Sequence, residues 1–552
     1  MTAPSLTRTQ ARGAVITAFV AASAMILALG TYEFMIIPAQ WDLGLSVDQA
    51  NAANVIPAGA ALLVVFASST LCDRLGYRRL LLLGSACFAL GAVMVMLAPG
   101  FAFLLAGRAL GGIGGVTMGV VGLAVVNAVF TDSARRAKAF AAFAALLPAV
   151  SFLFPPLGAV LAETVSWRAI PLLWLALGLV SIALTVRTVP AHLGVTSGGS
   201  ELITPLVAGL ALASLTLAAT VASSDLTFAL ISLVVAVIAF AAFIVLRKVV
   251  HLRGLDLRLL RSPGAWLVVF AIMLLAGANL YFFTSLLIQY RFFDPVIFVA
   301  ILLSAPELCA LAGCFVSGLA ATRWGAPITS AVWMLLAGFA CFFALTVGSD
   351  ASIYHPVAVL CLVAFPSAAA VGPLTQTLMD LAPKDGSSAP AAMRDALQNL
   401  GGSLGGIIAG AIGLTAFVSY TTGALAEAGL TPDMASVVAN EIVSGTHVND
   451  LAAKPWMPAD VADLIAGSRD VLNYGQSVAY WGAAAAAGAM CLVGGALMLL
   501  YTRGVRRRAR ELRAGKRRAR VVQHDHAQGA RTDVGDAAGQ GGVGGESVAR
   551  PE

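Results

Sequence analysis

The sequence predicts an all-α membrane protein with fourteen transmembrane helices, arranged as two six-helix bundles plus two inserted helices. Of its 552 residues, 59% are hydrophobic and only 11% are charged, whereas roughly a quarter of the residues of a soluble domain are charged. The chain contains about fourteen apolar runs of the ~20 residues that cross a bilayer. An internal repeat also relates its two halves. Together these observations predict a duplicated helical bundle whose solvent is lipid.

The internal repeat surrounds a short charged turn between two apolar runs, Asp73-Arg74-Leu75-Gly76-Tyr77-Arg78-Arg79. A degraded copy of this region occurs in the second half of the chain, at one constant offset. Pro57 aligns with Pro306, Ser69 with Gly318, Asp73-Arg74 with Thr322-Arg323, and Gly76 with Gly325. A helix, a tight turn and a second helix that occur twice indicate two related halves with a cavity between them.

The predicted spans follow the apolar runs in chain order. They cover residues 13–37, 50–71, 79–98, 101–126, 138–161, 168–186, 203–222, 226–246, 264–290, 295–320, 327–347, 355–379, 395–418 and 476–501. The first run is longer than the ~7–15-residue apolar core of a signal peptide, so we expect it to stay in the membrane. The seventh and eighth spans separate the two halves of the repeat, and we interpret them as a pair at the edge of a six-plus-six core.

This assignment divides the chain into four regions. They are the N-terminal six-helix bundle (1–186), cytoplasmic linkers with the two inserted helices (187–262), the C-terminal six-helix bundle (263–502) and a basic, disordered cytoplasmic tail (503–552). The C-terminal bundle includes a long external loop, residues 420–475. Within this loop, Thr431-Pro432 and Met457-Pro458 resemble the starts of short helices, because proline suits the first helical position.

Lysine and arginine concentrate in the even-numbered connections between spans. The second connection holds Arg74, Arg78 and Arg79, the fourth holds Arg135, Arg136 and Lys138, and the eighth holds Arg247, Lys248, Arg253, Arg258 and Arg261. The odd-numbered connections contain only Arg168, Arg291, Lys454 and Arg469. Because basic loops stay on the cytoplasmic side, we expect both termini in the cytoplasm. A bacterial inner membrane is the expected location.

Three charged residues lie inside predicted spans, where a charge at the helix centre costs roughly 2.5–3.5 kcal/mol. Glu33 lies in the first span, Arg108 in the fourth and Glu307 in the tenth, directly after Pro306. Loss of water favours a neutral carboxylate, so a cavity that is alternately wet and dry can load and unload a proton at either glutamate. Arg108 keeps its own proton and can attract an anion or control a carboxylate. The structural alternative is a static buried ion pair.

Other residues of the spans suit packing, bending or contact with a solute. Tyr32, Phe34, Asn279 and Tyr281 are candidates for a substrate cavity, with helix-to-helix contact as the alternative. Proline at Pro155 removes a helical hydrogen bond near Gly158 and predicts a bend, either a static kink or a hinge. Small residues at four-residue spacing let helices approach closely. Such glycines are Gly107, Gly111, Gly115 and Gly119 in the fourth span, and Gly402, Gly406 and Gly410 in the thirteenth, with Gly112, Gly114, Gly401 and Gly405 beside them.

The sequence does not predict an enzyme, a cofactor or a metal site. The seven cysteines lie in or beside apolar runs, and the six histidines fall in loops, in the tail or at a span edge. No GxxxxGK[ST] motif occurs in the chain, so direct coupling to ATP hydrolysis is not expected.

The motifs resemble those of the major facilitator superfamily, most closely its fourteen-span drug:proton antiporters, over essentially the whole membrane region. Asp73-Arg74-x-Gly76-x-Arg78-Arg79 is similar to the family's cytoplasmic motif between spans two and three, although Ser69 replaces its leading glycine. Arg108 with Gly112 matches the fourth-span motif, whose arginine is linked to proton coupling in that family.

Two further segments resemble the same branch, and one position departs from it. Pro155-x-Leu157-Gly158-Ala159 is similar to the fifth-span antiporter motif, with Phe154 in place of a glycine. Gly401-Gly402-Ser403-Leu404-Gly405 is similar to the thirteenth-span signature. The branch usually places an aspartate nine residues before the proline that ends the first span. Here that position is Leu29, and Glu33 is the expected substitute one turn away.

The resemblance implies a major facilitator fold and a proton-coupled transporter that exports small amphipathic or drug-like compounds by alternating access. Glu33, Glu307 and Arg108 are then the proton-coupling residues. The Asp73–Arg79 turn is the gating motif, with Pro155 and Gly158. The expected partners are a small-molecule substrate, protons and the bilayer, with a periplasmic adaptor and an outer-membrane channel as an option and no nucleic acid. The alternatives are a transporter of one specific metabolite, in either direction, and a membrane sensor that moves nothing.

Glutamine at either acidic position tests this assignment. Glu33→Gln or Glu307→Gln should abolish uphill export and leave substrate binding measurable, because the amide cannot exchange a proton. Uphill flux and equilibrium binding of each single variant are the measurements. Uphill export retained in both variants would remove the coupling assignment.

Overall fold

The computed structural model describes residues 8–130, 133–191, 193, 201–221, 226–249, 262–291, 296–381, 388–443 and 469–538. The chain divides into two compact units, residues 1–499 and residues 500–552. The described residues form α-helices and short 3-10 helices and contain no β-strand.

The helices of the first bundle and the inserted pair come first in the chain. They are α1 (Arg8–Leu43), α2 (Val47–Leu75), α3 (Tyr77–Met96), α4 (Phe101–Val129), α5 (Ser133–Ala144), α6 (Leu146–Thr164), α7 (Ile170–Thr188), α8 (Ile203–Val221) and α9 (Leu226–Val249). The helices of the second bundle and the remaining chain are α10 (Pro263–Gly277), α11 (Leu280–Arg291), α12 (Val296–Trp324), α13 (Ala326–Cys341), α14 (Tyr354–Leu381), α15 (Ala389–Glu427), α16 (Pro432–Val443) and α17 (Arg469–Ala538). A 3-10 turn precedes α7 at Trp167–Ala169, and another follows α13 at Phe342–Thr346.

Fourteen helical segments of the described chain are long and apolar enough to cross a membrane, judged by length and composition. They match the fourteen predicted spans in order, which confirms the predicted all-α membrane fold. One span combines α5 with α6, and another combines α10 with the first part of α11.

The long loop predicted for residues 420–475 is shorter than expected at both ends. α15 continues to Glu427, and α17 begins at Arg469. The short helix predicted at Thr431-Pro432 is confirmed as α16, where the Thr431 hydroxyl accepts a hydrogen bond from the Met434 amide at 3.4 Å. The second predicted start, Met457-Pro458, lies outside the described residues.

The prediction of a disordered tail from residue 503 is wrong for residues 503–538. α17 continues without interruption to Ala538. The physical reason is composition, because this segment is dense in arginine and alanine, which both favour the helix. The glycine-rich end that suggested disorder, residues 539–552, lies outside the described residues.

The internal repeat is visible in the backbone. Gly76 joins α2 to α3 with φ of 82°, and Gly325 joins α12 to α13 with φ of 83°. Each glycine amide donates to the carbonyl four residues earlier, Cys72 or Ala321, at 3.0 Å. A positive φ is strained for residues with a side chain, so glycine is the residue that this turn requires in both halves.

Glycines bring helices together within each bundle, and in α15 the close contacts fall one residue before the series that the four-residue spacing predicts. A Cβ atom on Gly112 would lie 2.3 Å from the Pro57 carbonyl oxygen of α2, and one on Gly405 would lie 2.1 Å from Gly277 Cα of α10. Gly406 and Gly410 of α15 face open space instead. The close helix contacts of α15 therefore rest on Gly401 and Gly405, one residue before the predicted series.

The inserted helices lie at the edge of the N-terminal bundle. α8 packs against α2, where a Cβ on Gly209 would lie 2.1 Å from the Leu63 carbonyl oxygen, and α9 packs against α8. The side chains of Val237 and Ile238 on α9 are 62% and 63% exposed. Such apolar exposure suits contact with lipid.

Alanine substitutions at two neighbouring glycines of α15 test whether close helix packing depends on the position of the glycine. Gly405→Ala should destabilise the membrane domain by roughly 1–3 kcal/mol, because it overpacks the contact with α10. Gly406→Ala is the matched control and should be neutral, because its Cβ meets open space. The unfolding midpoints of both variants in detergent, followed by tryptophan fluorescence, measure the difference. Equal midpoints would contradict this packing.

Candidate functional site

A cavity with two lobes lies between the two bundles. The lobe on the side of the C-terminal bundle, the C lobe, has a volume of about 500 Å³, and the lobe on the side of the N-terminal bundle, the N lobe, has about 440 Å³. Both lobes share a wall that includes Leu147, Glu307, Arg394, Gln398 and Asn399. Volumes of roughly 300–1,000 Å³ are typical of sites for small molecules.

The C lobe is lined by many polar groups. Helical hydrogen bonding stops between α10 and α11, and Ala278 and Asn279 of this break line the lobe beside Tyr281. Irregular backbone at membrane depth is tolerated where it lines a cavity. Ser367 and Ser403 add hydroxyl groups, and the Ser367 hydroxyl has no hydrogen-bond partner among the described residues. The C lobe therefore offers hydrogen bonds that a solute could accept or donate.

The N lobe is mostly apolar. Its lining includes Met25, Ile26, Leu29, Phe143 and Leu146. Set into this surface are the carboxylates of Glu33 and Asp395, together with Glu307 on the shared wall. The two lobes thus combine an apolar surface with a polar one, and carboxylates lie at and beside their junction.

The structure brings Glu33 and Glu307 to the same cavity, although they come from different bundles. Neither forms an ion pair in the part of the chain that the structure describes. The phenol of Tyr281 lies within electrostatic range of both carboxylates. Two acidic groups that face a cavity and form no ion pair there can each take up a proton or attract a cationic solute.

Arg108 lies away from this cavity and is enclosed by aromatic rings. Its side chain is 3% exposed, its guanidinium carbon lies 3.7 Å from the Tyr32 ring centroid and 5.6 Å from that of Trp174, and its Nε donates to the Ala53 carbonyl at 3.2 Å. Arg108 Nη2 and Tyr32 Oη have no hydrogen-bond partner among the described residues. A cation–π contact replaces the carboxylate that such a buried charge usually requires.

Two of the four predicted substrate contacts line the cavity, and the other two do not. Asn279 and Tyr281 line the C lobe. Tyr32 is 1% exposed beneath Arg108, and Phe34 is half-buried, and neither lines a lobe. On α1, the cavity face therefore carries Leu29 and Glu33, while Tyr32 points to the interior of the bundle.

Pro155 and Gly158 lie inside α6, which is helical through both positions. Gly30 of α1 approaches the Pro155 ring, and Thr31 approaches Gly158, so this region is the packing surface between α1 and α6. The interruption of the span lies earlier, at Ala145 between α5 and α6, close to Pro148.

Asp73 connects the two bundles at the turn marked by Gly76. One of its carboxylate oxygens, Oδ1, accepts a hydrogen bond from the Ser388 amide at 3.0 Å and lies 2.8 Å from the Ser388 hydroxyl. The same hydroxyl lies 2.8 Å from the Ser69 carbonyl oxygen. Ser388 precedes α15, so the carboxylate lies at the positive end of a 39-residue helix dipole. We call this set, Asp73, Ser69 and Ser388, the first latch.

An ion pair forms a second latch between the bundles. Arg136 of α5 lies 3.1 Å from Asp380 of α14 and also donates to the Asn127 side chain at 2.6 Å. Beside the second latch the backbones of α5 and α14 touch closely, because a Cβ on Gly372 would lie 3.1 Å from Ala141 Cα. These contacts hold the two bundles together at the ends of the helices that lie on the side of the Gly76 turn.

The other members of the charged turn have different surroundings. Arg78 donates to the Val186 carbonyl of α7 at 3.1 Å, within its own bundle. Arg74 and Arg79 are exposed. Arg78 therefore links the start of α3 to the end of α7.

A family model described as the Major Facilitator Superfamily matches residues 14–406. The chain belongs to this superfamily. This superfamily is one of membrane transporters and not of enzymes.

Individual relatives within the Major Facilitator Superfamily show partial similarity. The chain is 39% identical over 131 residues to "Multidrug efflux pump LfrA" of Mycolicibacterium smegmatis, a match that covers 24% of this chain and 26% of that protein. It is 32% identical over 122 residues to "Multidrug resistance protein Stp" of Mycobacterium tuberculosis, covering 22% and 23%. The matched segments span about a quarter of these relatives.

A solved transporter structure has the same fold as this superfamily member. The human organic anion transporter MFSD10 (TETRAN) superposes with a TM-score of 0.57 and 14% sequence identity, over 89% of this chain and 99% of that one. At this identity the comparison describes the fold alone.

The sequence interpretation missed Arg394 and Asp395. They form a 2.7 Å ion pair at the cavity wall, with side chains that are 14% and 15% exposed. The predicted span began at residue 395, which placed both charges at a membrane edge. A helix-start signal was present, because Ser388 precedes Ala389 and Pro390 at the first helical turn. With that start, the two charges fall inside the helix.

Removing the charge of the first latch should favour opening on the Gly76 side. Asp73→Asn should raise the open-to-closed ratio roughly fivefold, about 1 kcal/mol, because it removes the charge at the α15 N-terminus. Distances between spin labels at exposed positions 79 and 322 measure the populations. Arg74→Gln, an exposed charge change in the same turn, is the control and should leave the distribution unchanged. An unchanged distance distribution in Asp73→Asn would show that the first latch does not hold the bundles together.

Proposed function

We propose that this superfamily member exports small amphipathic, drug-like cations across a bacterial inner membrane in exchange for protons, by alternating access. The observation that carries the proposal is the cavity between the bundles, where carboxylates from both halves face one space beside apolar walls. The similarity to multidrug efflux and multidrug resistance proteins supports the substrate class.

The two lobes explain why an amphipathic molecule fits. Its apolar part can lie against Met25, Ile26 and Phe143 of the N lobe, while its polar part meets Asn279 and Tyr281 of the C lobe. Glu307 faces both lobes, so a positive charge near the middle of the molecule is compensated in either orientation. A few polar groups on an otherwise apolar lining are typical of small-molecule sites.

Glu33 and Glu307 supply the exchange with protons. A carboxylate that holds a proton is neutral and attracts a cation weakly, whereas the deprotonated group attracts it strongly. Proton and substrate therefore compete for the same groups. Moving one charge across 100 mV supplies about 2.3 kcal/mol, which exceeds the roughly 1.4 kcal/mol of a tenfold concentration gradient.

The two latches support an outward-facing conformation for this structure. We place the Gly76 turn in the cytoplasm, because basic residues concentrate on that side, and both termini then lie there too. With the two latches formed, the cavity is closed to the cytoplasm and belongs to the outward-facing state. Inward rotation of the bundles must break both contacts, and binding in the cavity shifts this equilibrium only as far as the two states differ in affinity.

Two ions of matched shape and opposite charge test the substrate class. Tetraphenylphosphonium should bind the purified protein at least tenfold more tightly than tetraphenylborate, because carboxylates line both lobes. Calorimetry in detergent measures both. The combined variant Glu33→Gln, Glu307→Gln should lose most of this preference, and the exposed control Glu163→Gln should keep it.

Transport completes this test. Proteoliposomes with an acidic lumen and a clamped membrane potential should accumulate tetraphenylphosphonium above protein-free liposomes, and dissipation of the pH gradient should abolish the accumulation. Preference for the borate, or uptake that ignores the pH gradient, would contradict the proposal. Uptake of a single metabolite in place of these ions would favour a dedicated metabolite transporter.

A further inference from the structure

Arg394 occupies the position in this cavity from which a cation can act on the exchange carboxylates. Its guanidinium is held at 2.7 Å by Asp395, and the pair lies at the wall shared by the two lobes. Arg394 lines both lobes, as Glu307 does, while Asp395 lines the N lobe. Asp395 also approaches α4, since a Cβ on Gly119 would lie 3.6 Å from its Oδ2. The pair thus lies where the two bundles meet.

Arg108 lacks this access. It lines neither lobe, and its guanidinium lies against the Tyr32 ring. Leu29 separates it from the cavity, because Leu29 lines both the N lobe and the small internal void that Arg108 faces. An aspartate at this position would join the two regions, but leucine insulates them. Arg108 therefore stabilises the packing of α1, α4 and α7 and is isolated from Glu33 and Glu307.

We propose that Arg394, and not Arg108, is the cation that controls proton binding by the cavity carboxylates, and that Asp395 determines when it acts. This inference rests on the proposed proton exchange and adds a positioning pair to it. While Asp395 is charged, it neutralises Arg394, and Glu307 can keep a proton. When Asp395 takes up a proton, Arg394 is released and can turn to Glu307 through the shared wall.

The proton balance of this step is closed. One proton is gained by the Asp395 carboxylate and one is lost by the Glu307 carboxyl group, while the Arg394 guanidinium stays charged throughout. The ion pair changes from Arg394–Asp395 to Arg394–Glu307. A nearby cation favours the charged form of a carboxylate, so each exchange of partner moves a proton between the wall of the N lobe and the junction of the lobes.

The surroundings of the pair leave few other charges that could take this role. α8 and α10, which pack against α15, carry no titratable residue. Among the described residues, the titratable or charged side chains of the elements near the pair are Glu33 and Tyr32 of α1, Asp73 and Arg74 of α2, Arg108 of α4, Tyr281 of α11, Glu307 of α12, and Asp380 and Cys361 of α14. α16, with Asp433 and Glu441, and the start of α17, with Asp470 and Tyr474, pack against α15 near Phe417 and Leu425, at the end of that helix remote from the pair. Asp73 and Asp380 belong to the latches, and Arg74 is exposed. Glu33, Glu307 and Tyr281 are the members of this set that face the lobes.

Shifts of opposite sign distinguish this role from a structural one. The pH dependence of tetraphenylphosphonium binding to the purified full chain is measured in detergent, where wild-type binding should increase as the pH rises. Arg394→Gln should move the midpoint to higher pH by roughly one unit, because the carboxylates lose their cation. Asp395→Asn should move it to lower pH, because Arg394 is then free to stabilise charged Glu307.

Matched variants complete the experiment. Arg394→Lys keeps the charge and should stay near the wild-type midpoint, and Arg108→Gln should change stability without moving the midpoint. If Arg394→Gln does not fold, the test rests on the other two variants. Asp395→Asn should then lower the pH midpoint of binding, while Arg394→Lys leaves it unchanged. Shifts of the same sign, no shift in either variant, or an Arg108→Gln shift as large as that of Arg394→Gln would overturn the inference. Wild-type binding that does not depend on pH would instead reject proton exchange itself, and this inference with it.

Discussion

A charge inside a bilayer needs either a partner or water, and this constraint organises the interior of the protein. Three solutions occur side by side. Arg108 is covered by an aromatic ring, Arg394 is paired with a carboxylate, and Glu33 and Glu307 face a cavity. The cavity is thus the place where two acidic groups can remain in a membrane protein without a fixed cation. Because they face the cavity, Glu33 and Glu307 are also accessible to a proton or a solute that enters it.

Much of the fold could be predicted from the sequence, because lipid imposes a simple rule. Each span must be apolar for about twenty residues, so fourteen runs translate directly into fourteen helices. The repeat at Gly76 and Gly325 could be read for a similar reason, since a turn with positive φ needs glycine in both copies. The continuation of α17 to Ala538 was missed, because the glycine-rich end of the tail suggested disorder, whereas the arginines and alanines before it favour the helix.

The candidate site could be predicted only in part. Glu33 and Glu307 stood out because they interrupt apolar runs, and the structure places both at one cavity. Which face of a helix points inward depends on tertiary packing. Tyr32 and Glu33 are adjacent in sequence, yet one lies beneath Arg108 and the other in the N lobe. Arg394 and Asp395 were hidden by a span boundary placed several residues late, at the position where boundaries are least certain.

The turn that occurs twice carries an aspartate in only one copy. Asp73 reaches across to the N-terminus of α15, whereas the equivalent residue before Gly325 is Thr322, which cannot carry a negative charge. The partner contact is instead an ion pair between Arg136 and Asp380, farther along the chain. The pseudo-symmetry of the backbone is therefore not shared by its electrostatics. Salt screens an ion pair that reaches the surface more than it weakens a carboxylate at a helix end, so rising ionic strength should weaken the second latch before the first.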